Sequence, residues 1–260
     1  MVHEDALASF DSISDDYARL GLFVLFFIPL IALVAGYMSV VGERQSGSLR
    51  VLMSYPFSRS DVLTGKVVGR SVVVGLTILF GFVVITVLGV PLTADFAPVD
   101  LLLVALLTVL LGVTFTAIAV AISASTASRG TALAWVIGIF FFLLVMWEAL
   151  AVGIYYLVEG SRPGLVVEPW YFALYQLNPI ESYRIAIGQV TDSFVWPMVQ
   201  LGLEDIDWAQ ASAVDLRAEA RVEGSAPFYL SPWFSVLTSL AWIAVPLAIG
   251  YRRFTSADLD

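Results

Sequence analysis

The stretch LLLVALLTVLLGVTFTAIAVAISASTAS, Leu101 to Ser128, has 28 residues and no charged side chain. An α-helix rises about 1.5 Å per residue, so about 20 apolar residues cross the ~30 Å hydrocarbon layer of a bilayer. This stretch is therefore long enough to span a membrane. Because every backbone N–H and C=O group inside lipid must be paired within the protein, we expect it to be a helix.

Four further runs share this character. They are residues 20–42, 71–94, 130–158 and 224–251, and Glu148 is the one charged residue among them. Charged residues make up 13% of the 260-residue chain and hydrophobic residues 59%, whereas an average soluble domain has about 25% charged residues. The mean hydropathy is +0.89. The sequence therefore predicts an all-α fold, a polytopic membrane helix bundle with five transmembrane helices.

The cations of the short connections predict the orientation of the bundle. Five Lys or Arg residues lie in the connection 42–70, Arg129 follows the third run, and two more arginines follow the last run. These three places fall on one side if the helices alternate, and Lys and Arg in short loops mark the cytoplasmic side. The opposite short segments contain a single cation, Arg19. We therefore expect a cell-membrane protein whose 43–66 segment and C-terminus are cytoplasmic.

The same pattern divides the chain into regions. We expect an acidic outer N-terminal tail at 1–19, the first four transmembrane helices with the connection 43–66 at 20–158, an outer segment at 159–231, the fifth helix at 232–251 and a cytoplasmic tail at 252–260. The outer segment has ten acidic and four basic residues. Its aromatic-rich stretches contain no charge-free run long enough to cross, so we expect interfacial or re-entrant helices there.

The stretch GERQSGSLRVLMSYPFSRSDVLTGK, Gly42 to Lys66, is a polar connection between two apolar runs. Leu49, Leu52 and Met53 have helical spacing on one face, and Pro56 is expected to stop that short helix. The pattern predicts a short amphipathic helix, a hinge and a re-entry into the membrane. Such an element can present a rigid surface to a cytoplasmic partner. The alternative interpretation is a loop whose cations set the topology and nothing more.

This connection resembles the one in permease subunits of the type-2 ABC transporter family. In that family Glu-Arg-x-x-Gly-[Ser/Thr]-Leu is followed by a Leu-rich turn, Pro-x-Ser-Arg and Gly-Lys. The matching residues are Glu43, Arg44, Gly47, Ser48, Leu49, Pro56, Ser58, Arg59, Gly65 and Lys66. The later LNPIESYR, Leu177 to Arg184, is similar to an Asn-Pro…Tyr-Arg patch in some members, including permeases linked to the maturation of copper enzymes.

The resemblance implies a coupling helix that docks on a separate ABC ATP-binding subunit and passes nucleotide-driven closure to the membrane helices. The residues expected to act in this coupling are Glu43, Arg44, Gly47, Leu49, Arg50, Leu52, Pro56, Arg59 and Lys66. It also implies a second permease subunit, identical or different, and favours export over import. Family members usually have six spans, so the first span here is expected to correspond to the family's second, with the family's first span missing.

The residues argue against an enzyme. The sequence Thr64-Gly65-Lys66 lacks the first Gly and the final Ser/Thr of a Walker A loop, so ATP hydrolysis is assigned to the partner. The chain has no Cys, and its one His, His3, lies in the N-terminal tail. We therefore expect no catalytic, cofactor or metal site in the spans. No basic patch lies outside the cytoplasmic connection, so we expect the lipid bilayer and no nucleic acid as a partner.

Glu148 is the one carboxylate deep in a predicted span. A charge at the bilayer centre costs about 2.5–3.5 kcal/mol on insertion scales. Two roles fit such a residue, a lining position on a transport path and a buried contact between helices. A non-transporting membrane scaffold or assembly factor is the alternative function. On the residues alone the substrate stays open between lipid, drug, peptide, sugar polymer and factors for metal enzymes.

Overall fold

The computed structural model describes residues 13–89, 97–195, 197, 201, 215–222 and 224–256, with side chains from residue 23 onward. Most of the predicted N-terminal tail, the polar part of the outer segment at 202–214 and the last residues, 257–260, lie outside the described residues. Within the described ranges, five helical segments are long and apolar enough to cross a membrane. The predicted all-α polytopic bundle with five spans is confirmed.

The helices are named in chain order. They are α1 (Ile13–Gly36), α2 (Val41–Ser46), α3 (Ser48–Met53), α4 (Arg59–Gly89), α5 (Pro98–Ser125), α6 (Arg129–Phe141), α7 (Trp147–Glu159), α8 (Pro169–Gln176), α9 (Pro179–Val190) and α10 (Pro232–Ser256). A π-helical turn, Phe142–Met146, joins α6 to α7. The five candidate spans are α1 with α2, then α4, α5, α6 with α7, and α10. Helix α1 begins inside the predicted tail, and α10 continues past residue 251.

Helix α5 is the centre of the bundle and packs against α1, α4 and α10. Small side chains let the neighbouring helices approach closely. A methyl group added to Gly36 of α1 would lie 2.6 Å from the Cβ of Ala119. One added to Gly250 of α10 would lie 2.9 Å from the Cα of Ala121. The small residues Ala119 and Ala121 of the third span thus serve close packing within the chain.

The first span is broken between α1 and α2, at residues 37–40. The backbone N–H groups of Val40 and Val41 both donate to the hydroxyl of Ser123 on α5, at 2.9 and 3.0 Å. A serine hydroxyl has two acceptor lone pairs, so one side chain pairs both N–H groups that the break leaves without a helical acceptor. The chain can therefore change direction here without exposing unpaired backbone groups.

Helices α8 and α9 fold back onto the bundle from the outer segment. Helix α9 packs against α1, α5 and α10, and every residue from Pro179 to Ile187 is buried. An interfacial helix would keep one polar face in contact with water. Burial on all sides fits the re-entrant alternative for this helix.

We expect Ser123→Ala to destabilise the fold, because it leaves two buried N–H groups unpaired. Each unpaired group costs about 1–3 kcal/mol, so the free energy of unfolding should fall by roughly 2–4 kcal/mol. The matched control is Ser125→Ala on the same helix, whose hydroxyl donates to the Ala121 carbonyl of its own helix. Thermal unfolding in detergent measures both. Equal losses from the two substitutions would contradict the role of Ser123.

Candidate functional site

Residues 43–66, here called the elbow segment, form a compact cap on one end of the bundle. Its bend is at Gly47, which ends α2 and begins α3 with a φ of +77°. Glycine adopts this left-handed backbone without the strain that a side chain causes. The Gly47 N–H donates to the Arg44 carbonyl at 3.3 Å, which closes the end of α2. The bend sets the direction of α3.

The inner face of α3 is apolar and packs on three helices. Leu49 is 1% exposed and belongs to one hydrophobic cluster with Val120 of α5, Phe254 of α10 and the start of α4. Leu52 and Met53 adjoin the same cluster, as their spacing from Leu49 predicts. Burying a leucine side chain contributes about 1.5–3 kcal/mol. This contact therefore holds α3 firmly against the ends of α4, α5 and α10.

Charged residues of the elbow segment bind to the bundle. Lys66 Nζ lies 2.5 Å from Glu43 Oε1, which ties α4 to α2. Arg44 Nη1 donates to the Thr126 carbonyl, just beyond the end of α5, at 3.1 Å. The Lys66 and Glu43 side chains are 18% and 36% exposed, so their ion pair contributes at most about 1 kcal/mol. Its main effect is to fix the orientation of the two helices.

Arg59, the first residue of α4, reaches the C-terminal end of α10. Its guanidinium donates to the Phe254 carbonyl and, at 3.0 Å, to the Thr255 carbonyl. The guanidinium carbon also lies 5.6 Å from the centre of the Phe254 ring. Carbonyl groups at the end of a helix lack helical partners and have a partial negative charge. Arg59 therefore joins the start of the second span to the end of the fifth.

A capping box fixes the start of α4. The Ser58 N–H donates to Asp61 Oδ2 at 2.9 Å, and the Asp61 N–H donates to Ser58 Oγ at 3.2 Å. Pro56 lies in the exposed turn between the end of α3 and this cap. Because proline lacks an N–H and disfavours helix at the preceding residue, it separates the two helices.

The face of the elbow segment that points away from the bundle is exposed and partly apolar. Val51, Tyr55 and Phe57 are 63%, 60% and 51% exposed. Arg50 and Pro56 are exposed beside them. The Tyr55 and Phe57 rings lie 6.5 Å apart and form a small aromatic patch. Aromatic and arginine side chains grouped on a rigid surface are typical of a site that another protein covers.

Glu148, the second candidate position, belongs to a buried group of polar residues near the outer segment. It is 4% exposed. It lines a small cavity together with Tyr171 and Tyr175 of α8, Arg184 of α9 and Arg221. The group thus joins the fourth span to three separate parts of the outer segment.

Arg184 is one of the two buried cations of this group. Its Nε lies 2.7 Å from Glu181 Oε2, and its Nη1 donates to the Val195 carbonyl at 3.0 Å. Burial disfavours the charged guanidinium, but the adjacent Glu181 carboxylate, together with Tyr175 and Glu148, outweighs this effect and places the pKa of Arg184 above its ordinary value. Arg184 therefore stays charged in its buried position.

Arg221 reaches the same group from a distant part of the sequence. It donates to the Gly164 and Leu165 carbonyls at 2.9 and 3.0 Å, and its guanidinium carbon lies 5.6 Å from the centre of the Phe172 ring. Burial lowers the pKa of Arg221. Burial also raises the pKa of Tyr171 to about 12, so this phenol stays neutral at physiological pH.

The cavity beside Glu148 is too small for a substrate. Its volume is about 10 Å³, which leaves room for about one water molecule. Glu148 and Glu181 accompany two guanidinium groups, so the charges balance without an added ion. In the ranges that the structure describes, no group of three or more His, Cys, Asp or Glu residues is placed to hold a metal. The geometry thus supports a helix contact more than a transport path.

The Asn-Pro patch connects the outer segment to the fourth span. Asn178 Nδ2 donates to the Leu143 carbonyl in the π-helical turn at 2.7 Å, and Asn178 Oδ1 accepts from the Ile180 N–H at 2.9 Å. The hydroxyl groups of Tyr183 and Thr108 lie 2.7 Å apart and join α9 to α5. One amide side chain therefore caps α9 and binds a carbonyl of the irregular turn.

Comparison with known proteins identifies the family. A family model described as an ABC-2 family transporter protein matches residues 2–259. The chain belongs to the ABC-2 transporter family. A protein of Stutzerimonas stutzeri named "Probable ABC transporter permease protein NosY" is 28% identical over 252 residues, which cover 94% of this chain and 81% of the relative. A protein of the same name in Pseudomonas aeruginosa is 32% identical over 187 residues, or 68% of this chain and 64% of the relative.

The family assignment confirms the resemblance inferred from the elbow segment. This ABC-2 protein is a membrane-spanning permease subunit of an ABC transporter. Its five apolar helices place it in a membrane. The roles of individual residues in coupling stay predictions.

The predicted coupling residues of this ABC-2 permease fall into two sets. Those that bind the bundle are Glu43, Arg44, Leu49, Leu52, Arg59 and Lys66. Those at the bend or on the exposed face are Gly47, Arg50 and Pro56. The first set positions the elbow segment, and the second set belongs to its accessible surface.

Sequence reasoning missed two groups of residues. The missed residues are Val51, Tyr55 and Phe57 on the exposed face and Tyr171, Tyr175, Glu181, Arg184 and Arg221 around Glu148. The exposed position of Val51 could have been predicted, because Val51 is an apolar residue on the face opposite Leu49. The Glu181–Arg184 spacing of i,i+3 also fits a helical pair. Arg221 gave no signal, because its proximity to Glu148 depends on the fold of the whole outer segment.

We expect Glu148→Gln to destabilise the permease, because it removes one of two carboxylates from a buried group that contains two arginines. Leaving a buried charge uncompensated costs about 3–5 kcal/mol, and because Arg184 keeps its Glu181 partner we expect a smaller loss of roughly 2–3 kcal/mol. The control is Glu168→Gln, at an exposed position of the same outer segment. Thermal unfolding and the yield of assembled complex measure the effect. Normal stability and assembly with altered transport would instead assign Glu148 to the transport path.

Proposed function

We propose that this permease provides the membrane path of an exporter that is driven by ATP hydrolysis on a separate ATP-binding subunit. The observation that carries the proposal is the exposed apolar face of the elbow segment, which includes Val51, Tyr55 and Phe57. The opposite face of the segment is fixed to the bundle by Leu49 and Arg59. The exposed face thus binds the ATP-binding subunit, and the packed face transmits the movement of that subunit to the bundle.

The contacts of the elbow segment support mechanical coupling. Leu49 packs against the ends of α4, α5 and α10, Arg44 binds the end of α5, and Arg59 binds the end of α10. A force on the exposed face would act on three spans together, because a close-packed interior transmits displacement rather than absorbing it. A loop that only sets topology would not need these contacts.

The distribution of cations supports a cytoplasmic elbow segment and a cytoplasmic C-terminus. The Arg59 contact with Phe254 holds both at the same end of the bundle. An ATP-binding subunit must meet the permease on that side, because ATP is supplied by the cytoplasm. A second permease subunit, identical or different, and the export direction are proposed from the family pattern.

The proposed orientation predicts the reactivity of single cysteines, which the cysteine-free chain makes unambiguous reporters. We expect Ser54→Cys to stay unlabelled by a membrane-impermeant maleimide in intact cells and to react in inverted vesicles. Val158→Cys, at an exposed position of the other end, should show the reverse pattern. Labelling of Ser54→Cys from outside intact cells would overturn the orientation and the coupling proposal with it.

The proposed docking face predicts a specific loss of the ATP-binding partner. We expect Tyr55→Ala combined with Phe57→Ala to reduce the ATPase activity that co-purifies with the tagged permease from native membranes by at least tenfold, because interface aromatics contribute about 1–2 kcal/mol or more each. The permease itself should keep its thermal stability, since both side chains are exposed.

The matched control is Tyr156→Ala, which removes a tyrosine of similar exposure, 55%, at the outer end of the bundle. It should leave the co-purified ATPase activity unchanged. Deletion of Leu49 is unsuitable for this test, because its burial means that the deletion disturbs folding as well as docking. Undiminished ATPase activity with the double variant would favour the scaffold alternative.

A further inference from the structure

A groove of about 700 Å³ opens on the side of the bundle between α5, α6 and α10. Its walls are mainly apolar and include Trp135 of α6 and Trp242, Val245 and Ile249 of α10. Pro246 also lines it. Because proline has no N–H, this wall of α10 lacks the helical hydrogen bond to the Trp242 carbonyl one turn before.

The length of the groove matches one leaflet of a bilayer. Along α10 it extends from Ala241 to Arg253, which is about 18 Å at 1.5 Å per residue. Half of the ~30 Å hydrocarbon layer is about 15 Å. Trp242 donates to the Leu177 carbonyl, at the junction of α8 and α9, so one end lies near the middle of the bundle. The other end lies beside the elbow segment.

The end beside the elbow segment is polar and cationic. Arg253 is exposed there, and the hydroxyl groups of Ser125, Ser128 and Thr131 line the same end. The Ser128 hydroxyl also accepts from the Thr131 N–H at 3.1 Å and caps α6. A cation and hydroxyl groups at one end of an apolar channel complement a phosphate attached to an acyl chain.

The groove is smaller than a whole transmembrane helix. A helix about 10 Å wide that lay along ~15 Å of the wall would occupy more than about 1,000 Å³, which exceeds the groove volume of about 700 Å³, so a helix could enter it with one face only. Sites that hold small molecules have volumes of about 300–1,000 Å³. The shape therefore fits a flexible chain better than a second copy of the permease.

We propose that this groove binds one anionic phospholipid of the cytoplasmic leaflet, with its phosphate at Arg253 and an acyl chain along Trp135 and Val245. The leaflet assignment rests on the proposed orientation of the elbow segment. Binding itself does not depend on that orientation, so a test in detergent separates the two. The lipid fills the space between α10 and the inner half of the fourth span.

The test uses native mass spectrometry of the full permease in mild detergent, with added phosphatidylglycerol or phosphatidylcholine. We expect one phosphatidylglycerol per chain at concentrations at which phosphatidylcholine is not retained. Arg253→Gln should lower this binding about fivefold, roughly the effect of one cation at an anionic lipid surface. The control Arg252→Gln removes a neighbouring exposed arginine that does not line the groove, and it should leave binding unchanged.

A second pair of variants tests the acyl-chain position. Val245→Trp should fill the groove and displace the lipid, whereas Leu240→Trp, at another exposed position of α10, should not. Equal effects of the two arginine variants, or full binding by Val245→Trp, would overturn the proposal. Val245→Cys should form no disulfide between copies in native membranes. A cross-linked dimer would assign the groove to a second permease and would also overturn it.

Discussion

The hydrocarbon layer of a bilayer contains no water that could pair the backbone groups of a broken helix. Backbone N–H and C=O groups left unpaired inside a span must therefore find partners within the protein. The hydroxyl of Ser123 meets this requirement by accepting from both Val40 and Val41. Because Ser123 lies on α5, these hydrogen bonds hold the break in the first span beside one position of the central helix. Val40 and Val41 lead into α2, so this contact holds the start of α2, and with it the beginning of the elbow segment, on the central helix.

Close packing on α5 determines which helices can move together. Gly36 and Gly250 bring α1 and α10 so near to Ala119 and Ala121 that a single added methyl would clash with either. Interfaces of this kind shift between discrete arrangements rather than deforming smoothly. We therefore expect α1, α4, α5 and α10 to respond to the elbow segment as one body. The fourth span is not expected to move with this body, because the open groove separates α6 from α10.

The sequence was sufficient to predict features that depend on local composition. Five apolar runs predicted five spans, because the length of lipid that a helix crosses is fixed. The spacing of Leu49, Leu52 and Met53 predicted the packed face of α3. Features that depend on distant partners could not be predicted. Helix α9 contains Glu181 and Arg184 and looks too polar for burial, and the pairing that neutralises both becomes visible only when the chain has folded.

The fourth span is held firmly at its C-terminal half and loosely at its N-terminal half. Asn178 binds the carbonyl of Leu143 in the π-helical turn, Trp147 donates to the Leu174 carbonyl at 3.1 Å, and Glu148 lies in the buried group with Arg184. Such polar contacts are costly to separate where water is scarce. The N-terminal half, α6, lines the groove instead. Rotation of this span about its C-terminal attachment would therefore change the width of the groove while leaving the Glu181–Arg184 pair intact, and the irregular turn at 142–146 is the natural hinge between the two halves.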